Sequence, residues 1–229
     1  MINSGRQWSI LTGYAALLCG ISAALLDKTT PADAAALPAF LAENRVTILW
    51  QAMLFLLGAA FFMWFLGSLR AFLIRVEPNP GRVTMIAFVA GMVGYGVTVL
   101  ALAPQISLTL PDRSWVEPAT AAMATDLGYV MLTVANLPIA VMFAAIAVVC
   151  LRDNAFPAWL GWLAAVAAGS SVVLVFSLVD PAGPLAPQGW LSYVLYLVPV
   201  VWLAAATTVM LIAERRRTSE RGIVVTVAL

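Results

Sequence analysis

The sequence of residues 127–151 is LGYVMLTVANLPIAVMFAAIAVVCL, and it contains no charged side chain. A helix needs roughly 20 apolar residues to cross about 30 Å of hydrocarbon, and it satisfies its own backbone hydrogen bonds while doing so. The apolar character of this stretch is continuous, whereas a barrel strand would alternate polar and apolar positions. The stretch therefore predicts a transmembrane α-helix.

Five other stretches share this character, and the composition of the whole chain agrees with them. Of the 229 residues, 63% are hydrophobic and 10% charged, whereas a soluble domain has about 25% charged residues. We predict an all-α polytopic membrane protein, a single domain over residues 1–229 with six transmembrane helices in one bundle. The predicted spans lie near residues 8–26, 46–69, 83–103, 127–151, 157–179 and 190–213. Residues 214–229 are predicted to form a basic, then apolar, cytoplasmic tail.

The basic residues predict the orientation of the bundle, because Lys and Arg near helix ends are retained on the cytoplasmic side. Nine basic residues fall on one side of the predicted topology: Arg6, Arg70, Arg75, Arg82, Arg152, Arg215, Arg216, Arg217 and Arg221. The other side has Lys28, Arg45 and Arg113. We therefore expect a multi-pass protein of the plasma (inner) membrane with both termini in the cytoplasm.

The first predicted span has an alternative interpretation as a signal peptide. Arg6 precedes it, and Ala32-Asp33-Ala34 could be a cleavage site. The apolar run is long for a signal peptide, however, and five remaining helices would make the arginine partition inconsistent. Six spans remain the favoured prediction.

Three segments carry a resemblance to a known family. They are Ile10-Leu11-Thr12-Gly13 through Gly20-Ile21 in the first span, the alanine-rich stretch from Ala32 to Ala36 leading into Arg45, and Phe156-Pro157-Ala158-Trp159-Leu160-Gly161-Trp162 at the start of the fifth span. In these segments and in its layout, the chain resembles the six-helix bacterial integral membrane proteins of the domain of unknown function 4386 family. The resemblance implies the fold and a bacterial origin. It implies no activity, because the family has no established functional residues.

Several classes of chemistry are excluded by residue types. The chain has no histidine and two cysteines, so His-ligated metals, His-ligated haem and His-based catalytic triads are unavailable. An aspartyl intramembrane protease needs two aspartates near mid-membrane, whereas Asp126 and Asp180 are predicted at the outer edge. The formal net charge of +1 gives no attraction to nucleic acid. We expect no catalytic residues, no metal, no cofactor and no enzymatic activity.

The fourth predicted span carries a polar stripe. Asp126, Tyr129, Thr133 and Asn136 are spaced i, i+3, i+7 and i+10, and at 100° per residue they fall within about an 80° arc. Polar side chains in hydrocarbon cost free energy unless they are paired, so this stripe should face the bundle interior. Pro138 follows and frees a backbone carbonyl, which can shape a cavity. The alternative is a packed hydrogen-bond network without a cavity.

Other polar side chains lie at a similar predicted depth in neighbouring spans. Together with the stripe, they predict an outward-facing pocket for a lipid or small hydrophobic ligand. The candidate ligand-binding residues are Asp126, Tyr129, Thr133, Asn136, Gln51, Tyr95, Tyr193 and Tyr196. For the tyrosines, the alternative is interfacial anchoring at the headgroup level.

Small residues predict where helices approach each other closely. Gly91, Gly94 and Gly96 cluster in the third span, and Gly13 and Gly20 lie one heptad apart in the first. Glycine lets backbones approach within a membrane. We therefore expect close helix contacts at these positions.

Two functions remain open. The first is a non-enzymatic accessory or binding component whose partners are membrane lipids and another membrane protein; the alternative is a small transporter or permease-like facilitator. Transport needs a continuous polar path, whereas the inner segments Phe61 to Leu66 and Ala140 to Val149 are almost wholly apolar. The predicted spans also lack the charged midplane residue typical of ion-coupled carriers. The sequence therefore favours binding.

Overall fold

The structure is a computed structural model that describes residues 2–78, 81–110, 116–179, 183–186 and 189–227. For residues 2–6 and 218–227 it describes the backbone alone. Every regular element in this part of the chain is helical. The α-helices are α1 (Ile2–Leu25), α2 (Leu37–Glu43), α3 (Arg45–Leu73), α4 (Arg82–Ala101), α5 (Ala103–Leu108), α6 (Pro118–Arg152), α7 (Ala158–Val175) and α8 (Trp190–Val227). Single 3-10 turns precede α2 and follow α7, at Ala34–Ala36 and Phe176–Leu178.

The predicted fold class is confirmed. Within the described ranges, six helical segments are long and apolar enough to cross a membrane: α1, α3, α4 together with α5, α6, α7 and α8. Five of them extend beyond the predicted bounds, α6 and α8 the furthest. Helix α6 begins at Pro118, where proline is well suited to a first helical position, and α8 continues without a break to Val227.

The six spans form a closed ring in which each packs on the next. Helix α1 packs on α3, α3 on α4, α4 on α6, α6 on α7, and α7 on α8, which returns to α1. The Ser9 hydroxyl, near the start of α1, bonds the Ser68 hydroxyl, near the end of α3, at 2.5 Å. Tyr14 of α1 and Thr208, in the later part of α8, are joined at 2.7 Å. Neighbouring spans therefore run antiparallel, and the start of α1 and the end of α8 lie at the same end of the bundle.

The two ends of the bundle carry different charged groups. We call one the arginine end, where Arg75, Arg152 and Arg215 lie, and the other the aspartate end, where Asp27 and Asp126 lie. Arg45 is at the aspartate end, where its Nε donates to the Thr109 carbonyl at 2.8 Å. Arg113 and Asp180, together with the side chains of Arg6 and Arg221, lie outside the described residues.

The apolar core fills the half of the bundle nearest the arginine end. Phe143 of α6 meets Trp202 of α8 edge to face, with ring centroids 5.2 Å apart. The Trp202 indole donates to the Leu160 carbonyl of α7 at 3.2 Å, so its polar atom is satisfied. Phe65 and Leu66 of α3 are fully buried against the same cluster. This half of the interior is therefore closed by apolar side chains.

Two of the three clustered glycines of α4 lie in a close helix contact. A β-carbon at Gly91 would lie 2.7 Å from Met142 Sδ, and one at Gly94 would lie 2.7 Å from Ile139 Cγ1. Helices α4 and α6 therefore approach closely there, as predicted. Gly96 faces open space, so the expected contact at that position is wrong. It lies about 200° around the helix from Gly94 and points away from α6.

In α1, one of the two predicted contacts is present. Gly13 is packed against Thr207 and Phe65, whereas Gly20 faces open space and the expected contact there is wrong. The close approach near Gly20 comes from Gly58 of α3, where a β-carbon would lie 3.4 Å from the Ala16 carbonyl oxygen.

Candidate functional site

Asp27 joins three helices at the aspartate end. It follows the last turn of α1, and its amide bonds the Ala24 carbonyl at 3.2 Å. Asp27 Oδ1 accepts from Gln51 Nε2 of α3 at 3.0 Å, and Oδ2 accepts from the Tyr193 hydroxyl of α8 at 3.2 Å. Two residues predicted from sequence, Gln51 and Tyr193, therefore bind a carboxylate that was not among the predicted site residues.

Tyr129 of α6 adds a fourth helix to this arrangement. Its hydroxyl and the Thr30 hydroxyl are 3.0 Å apart. The carboxylates of Asp27 and Asp126 are close enough for their charges to act on the phenol, and Tyr193 in turn lies within electrostatic range of Tyr129. We call these six residues the Asp27 cluster: Asp27, Thr30, Gln51, Asp126, Tyr129 and Tyr193.

Asn136 lies deeper in the bundle than the Asp27 cluster. The residue is 3% exposed, and its Nδ2 donates to the Tyr196 hydroxyl of α8 at 3.2 Å. The same amide group contacts the carbonyls of Leu132 at 3.1 Å and Thr133 at 3.3 Å. Tyr196 lies one turn beyond Tyr193 on α8. The Asn136–Tyr196 hydrogen bond therefore joins α6 and α8 directly beneath the Asp27 cluster.

Thr133 is buried between the level of the Asp27 cluster and the deeper level of Asn136 and Tyr196. Its hydroxyl lies 3.5 Å from the Ser177 hydroxyl, in the 3-10 turn after α7. Ser170 and Ser171, also buried, each donate to the Ala167 carbonyl of their own helix at 2.9 Å. Thr133 and Ser177 therefore extend the polar surface toward α7, whereas Ser170 and Ser171 are satisfied within α7.

Tyr95 is not brought together with the other candidate residues. Its ring stacks on Phe62 of α3, with centroids 3.8 Å apart and an angle of 23° between the planes. It packs against the apolar core. Asp126, at the other extreme, is exposed at the surface of the aspartate end. The predicted polar stripe of α6 thus becomes steadily more buried from Asp126 to Asn136.

The depth of the Asp27 cluster is indicated by two tryptophans. Trp50 precedes Gln51, and Trp190 lies one turn before Tyr193; both rings are exposed on the outside of the bundle. Tryptophan rings settle at the headgroup level of a membrane. The cluster therefore lies where water, lipid headgroups and hydrocarbon meet.

The chemistry of the cluster is that of hydrogen-bonded recognition. It combines two carboxylates, a hydroxyl, an amide and two phenols whose rings are apolar, a combination suited to a molecule with one polar group and an apolar body. Among the described residues, no three histidine, cysteine or acidic side chains lie close enough to hold a metal ion. Cys19 and Cys150 are free thiols.

A second charged cluster lies at the arginine end. Glu77 is 8% exposed, and its two carboxylate oxygens accept from the amides of Val83 and Thr84, each at 2.8 Å. The chain turns back to make this cap through Gly81, whose φ of 69° suits glycine. Arg152 Nη2 lies 3.9 Å from Glu77 Oε1.

The environment of Glu77 favours its charged form. Burial raises the pKa of the carboxyl, but the Thr84 side chain, the amides of Thr84 and Val83 and the charge of Arg152 outweigh that effect. The pKa therefore lies below its ordinary value of 4.5. Glu77 acts as an ionised cap for the N-terminus of α4.

Comparison of the chain with protein families, with characterised proteins and with solved structures finds no match. The resemblance to the domain of unknown function 4386 family stays a prediction. The chain is therefore assigned to a class by its fold alone, as a six-span helical membrane protein.

Proposed function

We propose that this protein is a non-enzymatic binding or accessory component of the plasma membrane. In this proposal, a pocket at the aspartate end opens outward and takes a lipid or other small hydrophobic ligand. The observation that carries the proposal is the Asp27 carboxylate, which is shared by Gln51 of α3 and Tyr193 of α8.

The convergence of polar groups from four helices supports a ligand site. Polar side chains within a membrane are costly, and those retained there commonly mark a functional surface. Gln51, Tyr129 and Tyr193 come from three different spans, and Asp27 ends a fourth. Helix packing alone needs no such concentration of phenols at one level, because small residues already provide the close contacts between α4 and α6.

The closed apolar half supports binding over transport. Below Asn136 and Tyr196, the interior is filled by side chains such as Phe143 and Trp202. A facilitator would need a polar path through this region, whereas a binding pocket is closed at its inner end. The apolar core therefore closes the inner end of the proposed pocket.

The ligand's chemistry follows from the groups that would contact it. An apolar body would lie against the rings of Tyr129 and Tyr193, and one polar group would exchange hydrogen bonds with Asp27 or Gln51. A ligand with several charges would be disfavoured, because the desolvation of each charge is costly at this depth.

The distribution of basic residues supports the outward orientation. The end of the bundle that carries the start of α1 and the end of α8 has most of the described basic residues: Arg70, Arg75, Arg82, Arg152, Arg215, Arg216 and Arg217. Only Lys28 and Arg45 lie at the other end among the basic residues that the structure describes. By the positive-inside rule, the arginine end is cytoplasmic and the Asp27 cluster faces outward.

Native mass spectrometry of the gently extracted protein tests this proposal. We expect a co-purified lipid or small hydrophobic molecule, whose bound fraction falls in Tyr193→Phe combined with Gln51→Leu. Tyr14→Phe is the matched control, since Tyr14 bonds Thr208 away from the cluster. If all three proteins retain the same bound molecule to the same extent, or none binds any, the proposed site is wrong. Passage of the bound molecule through the protein in sealed vesicles would instead favour the facilitator.

A further inference from the structure

Helices α6 and α7 leave an open groove of about 620 Å³ near the arginine end. This volume is within the range of ligand sites, roughly 300–1,000 Å³. Ala144 and Val148 on its rim are exposed, so the groove opens to the surroundings of the bundle. Its apolar lining consists of Ala144, Ala147, Val148, Leu151, Ala165 and Ala168, and Arg152 lies at one end.

The groove has two causes. The helices α6 and α7 are in contact near the turn that connects them, and farther from that turn the side chains between them are small. A β-carbon at Gly161 of α7 would lie 2.9 Å from Leu151 Cγ and 3.0 Å from Cys150 Cβ. The helices are therefore in close contact there. Farther from the turn, the facing side chains Ala147, Ala165 and Ala168 are too short to fill the space beside the contact.

The length of the groove matches one membrane leaflet. Ala144 and Arg152 are eight residues apart, which is about 12 Å along a helix. This is less than half of the roughly 30 Å hydrocarbon core. A transmembrane helix of a partner would need a contact surface along most of the core, so the groove suits an acyl chain better than a helix.

Aromatic residues place the Arg152 end of the groove at the headgroup level. Trp159 and Trp162, near the start of α7, are both exposed. Such rings settle at the boundary between headgroups and hydrocarbon. The apolar lining therefore lies at acyl-chain depth, and the guanidinium of Arg152 lies among the headgroups.

Arg152 has hydrogen-bonding capacity left for a ligand. Its Nε and Nη2 donate to the two carboxylate oxygens of Asp153 at 3.0 and 2.8 Å. In the described part of the chain, Nη1 has no hydrogen-bond partner. The side chain is 52% exposed. The carboxylates of Asp153 and Glu77, the latter 3.9 Å from Nη2, share the charge of Arg152, so Nη1 offers a phosphate oxygen a hydrogen bond and no excess positive charge.

We infer that the groove holds one acyl chain of a glycerophospholipid from the leaflet at the arginine end, with the lipid phosphate bound by Nη1 of Arg152. The chain lies over Ala147, Ala165 and Ala168, and the phosphate lies beside the Arg152–Asp153 pair. This site is at the opposite end of the bundle from the Asp27 cluster. It does not depend on the proposed outward pocket.

Photocrosslinking of the full-length protein in phosphatidylethanolamine vesicles tests the position of the acyl chain. The probe is a phosphatidylglycerol with a diazirine in its acyl chain. We expect crosslinks concentrated in the peptides that contain residues 144–152 and 165–168. Ala144→Phe should reduce them several-fold, because the ring would fill the part of the groove that the acyl chain occupies. Ala60→Phe, at an exposed alanine of α3, should leave them unchanged.

A second probe tests the phosphate contact. A diacylglycerol with the same diazirine chain lacks the phosphate, so Arg152→Gln should reduce crosslinking of the phospholipid and leave that of the diacylglycerol unchanged. Arg82→Gln, at another exposed arginine of this end, should affect neither. Thermal unfolding of each variant shows whether the fold is retained. Equal crosslinking in Ala144→Phe and Ala60→Phe, or equal loss of both probes in Arg152→Gln, would overturn the inference.

Discussion

Asp27 and Tyr193 are 166 positions apart in the chain, and the Tyr193 hydroxyl donates to Asp27 Oδ2 across 3.2 Å. The bond connects the end of the first span to the start of the last, where the ring of helices closes. Gln51 donates to the other oxygen of the same carboxylate at 3.0 Å. Asp27 therefore links the closure of the bundle to the polar groups of the proposed pocket.

The first prediction concerns the energetic coupling of Asp27 and Tyr193. Asp27→Ala and Tyr193→Phe should each destabilise the protein, and their combination should cost less than the sum of the two. Hydrogen bonds in membrane bundles contribute about 0.6 kcal/mol on average, so we expect a coupling of about that size. A double-mutant cycle of unfolding free energies in detergent measures it.

The control for this cycle is Glu43→Ala combined with Tyr193→Phe. Glu43 is exposed at the end of α2, so the two effects should add. Additivity in the Asp27 cycle as well would show that the hydrogen bond contributes nothing to stability.

The second prediction concerns pH at the arginine end. The pKa of Glu77 is lowered in the folded protein, so its contribution to stability is present above the ordinary value of 4.5 and is lost as pH falls through the lower folded value. Glu77→Gln should lower the unfolding temperature at neutral pH, and the gap from the unchanged protein should narrow in acid. Thermal unfolding from neutral pH down to about pH 3 measures the gap.

The pKa of Asp153 is also lowered, by the hydrogen bond from the Arg152 side chain. Both proteins should therefore lose stability in acid, and the difference between them isolates Glu77. A gap that stays constant from neutral to acid pH would contradict the assignment of Glu77 as an ionised cap.

The third prediction compares Arg70, near the end of α3, with Arg75, in the turn that follows that helix. Arg75 Nη1 lies 3.7 Å from Glu214 Oε2 of α8, and Glu214 is 5% exposed. The Arg70 guanidinium lies 5.9 Å from the Phe88 ring centroid. Arg75→Leu should destabilise the protein by about 1 kcal/mol, because it removes an ion-pair partner from a buried carboxylate.

Arg70→Leu should cost less, since the guanidinium is replaced by an apolar side chain that still contacts Phe88. Unfolding in detergent compares the two variants, and Arg75→Lys tests whether a charge alone restores stability. A larger loss of stability in Arg70→Leu than in Arg75→Leu would contradict the stabilising role of the Arg75–Glu214 ion pair.

The fourth prediction concerns orientation. Reporter fusions after Asn154 and at the C-terminus should be active in the cytoplasm, because Asn154 follows α6 at the arginine end and α8 ends on the same side. A fusion in the segment between α5 and α6 should be active outside. Any other pattern would mean that the proposed orientation or the number of spans in the membrane is wrong.

Much of the fold follows from the sequence, because hydrocarbon permits few architectures. Continuous apolar stretches predicted all six spans, and helical periodicity predicted that Thr133 and Asn136 would be buried. The bounds were less predictable. Helix α6 starts at Pro118, in a stretch too polar to count as hydrocarbon-spanning although its residues favour a helix.

The candidate site was predicted only in part. Gln51 and Tyr193 were recognised as polar groups at the right depth, but Asp27 was not among the candidate residues, because it follows the apolar run of the first span. The available signal was that Asp27 directly follows the first predicted span and Gln51 lies near the start of the second, so both belong to the same end of the bundle. Tyr95 could not be excluded from sequence, since its stacking on Phe62 depends on how α3 and α4 pack.

The central claim is that the polar stripe of α6 lines an outward-opening pocket, and thiol accessibility tests it most directly. With Cys19 and Cys150 replaced, single cysteines are placed at positions 129 and 133, and at the lipid-facing positions of Val130 and Val134, both exposed on the outside of the bundle. A small water-soluble thiol reagent is added outside intact cells. The account predicts that the cysteines at 129 and 133 react and that those at 130 and 134 do not. Protection at all four positions would contradict it and leave a closed hydrogen-bonded bundle.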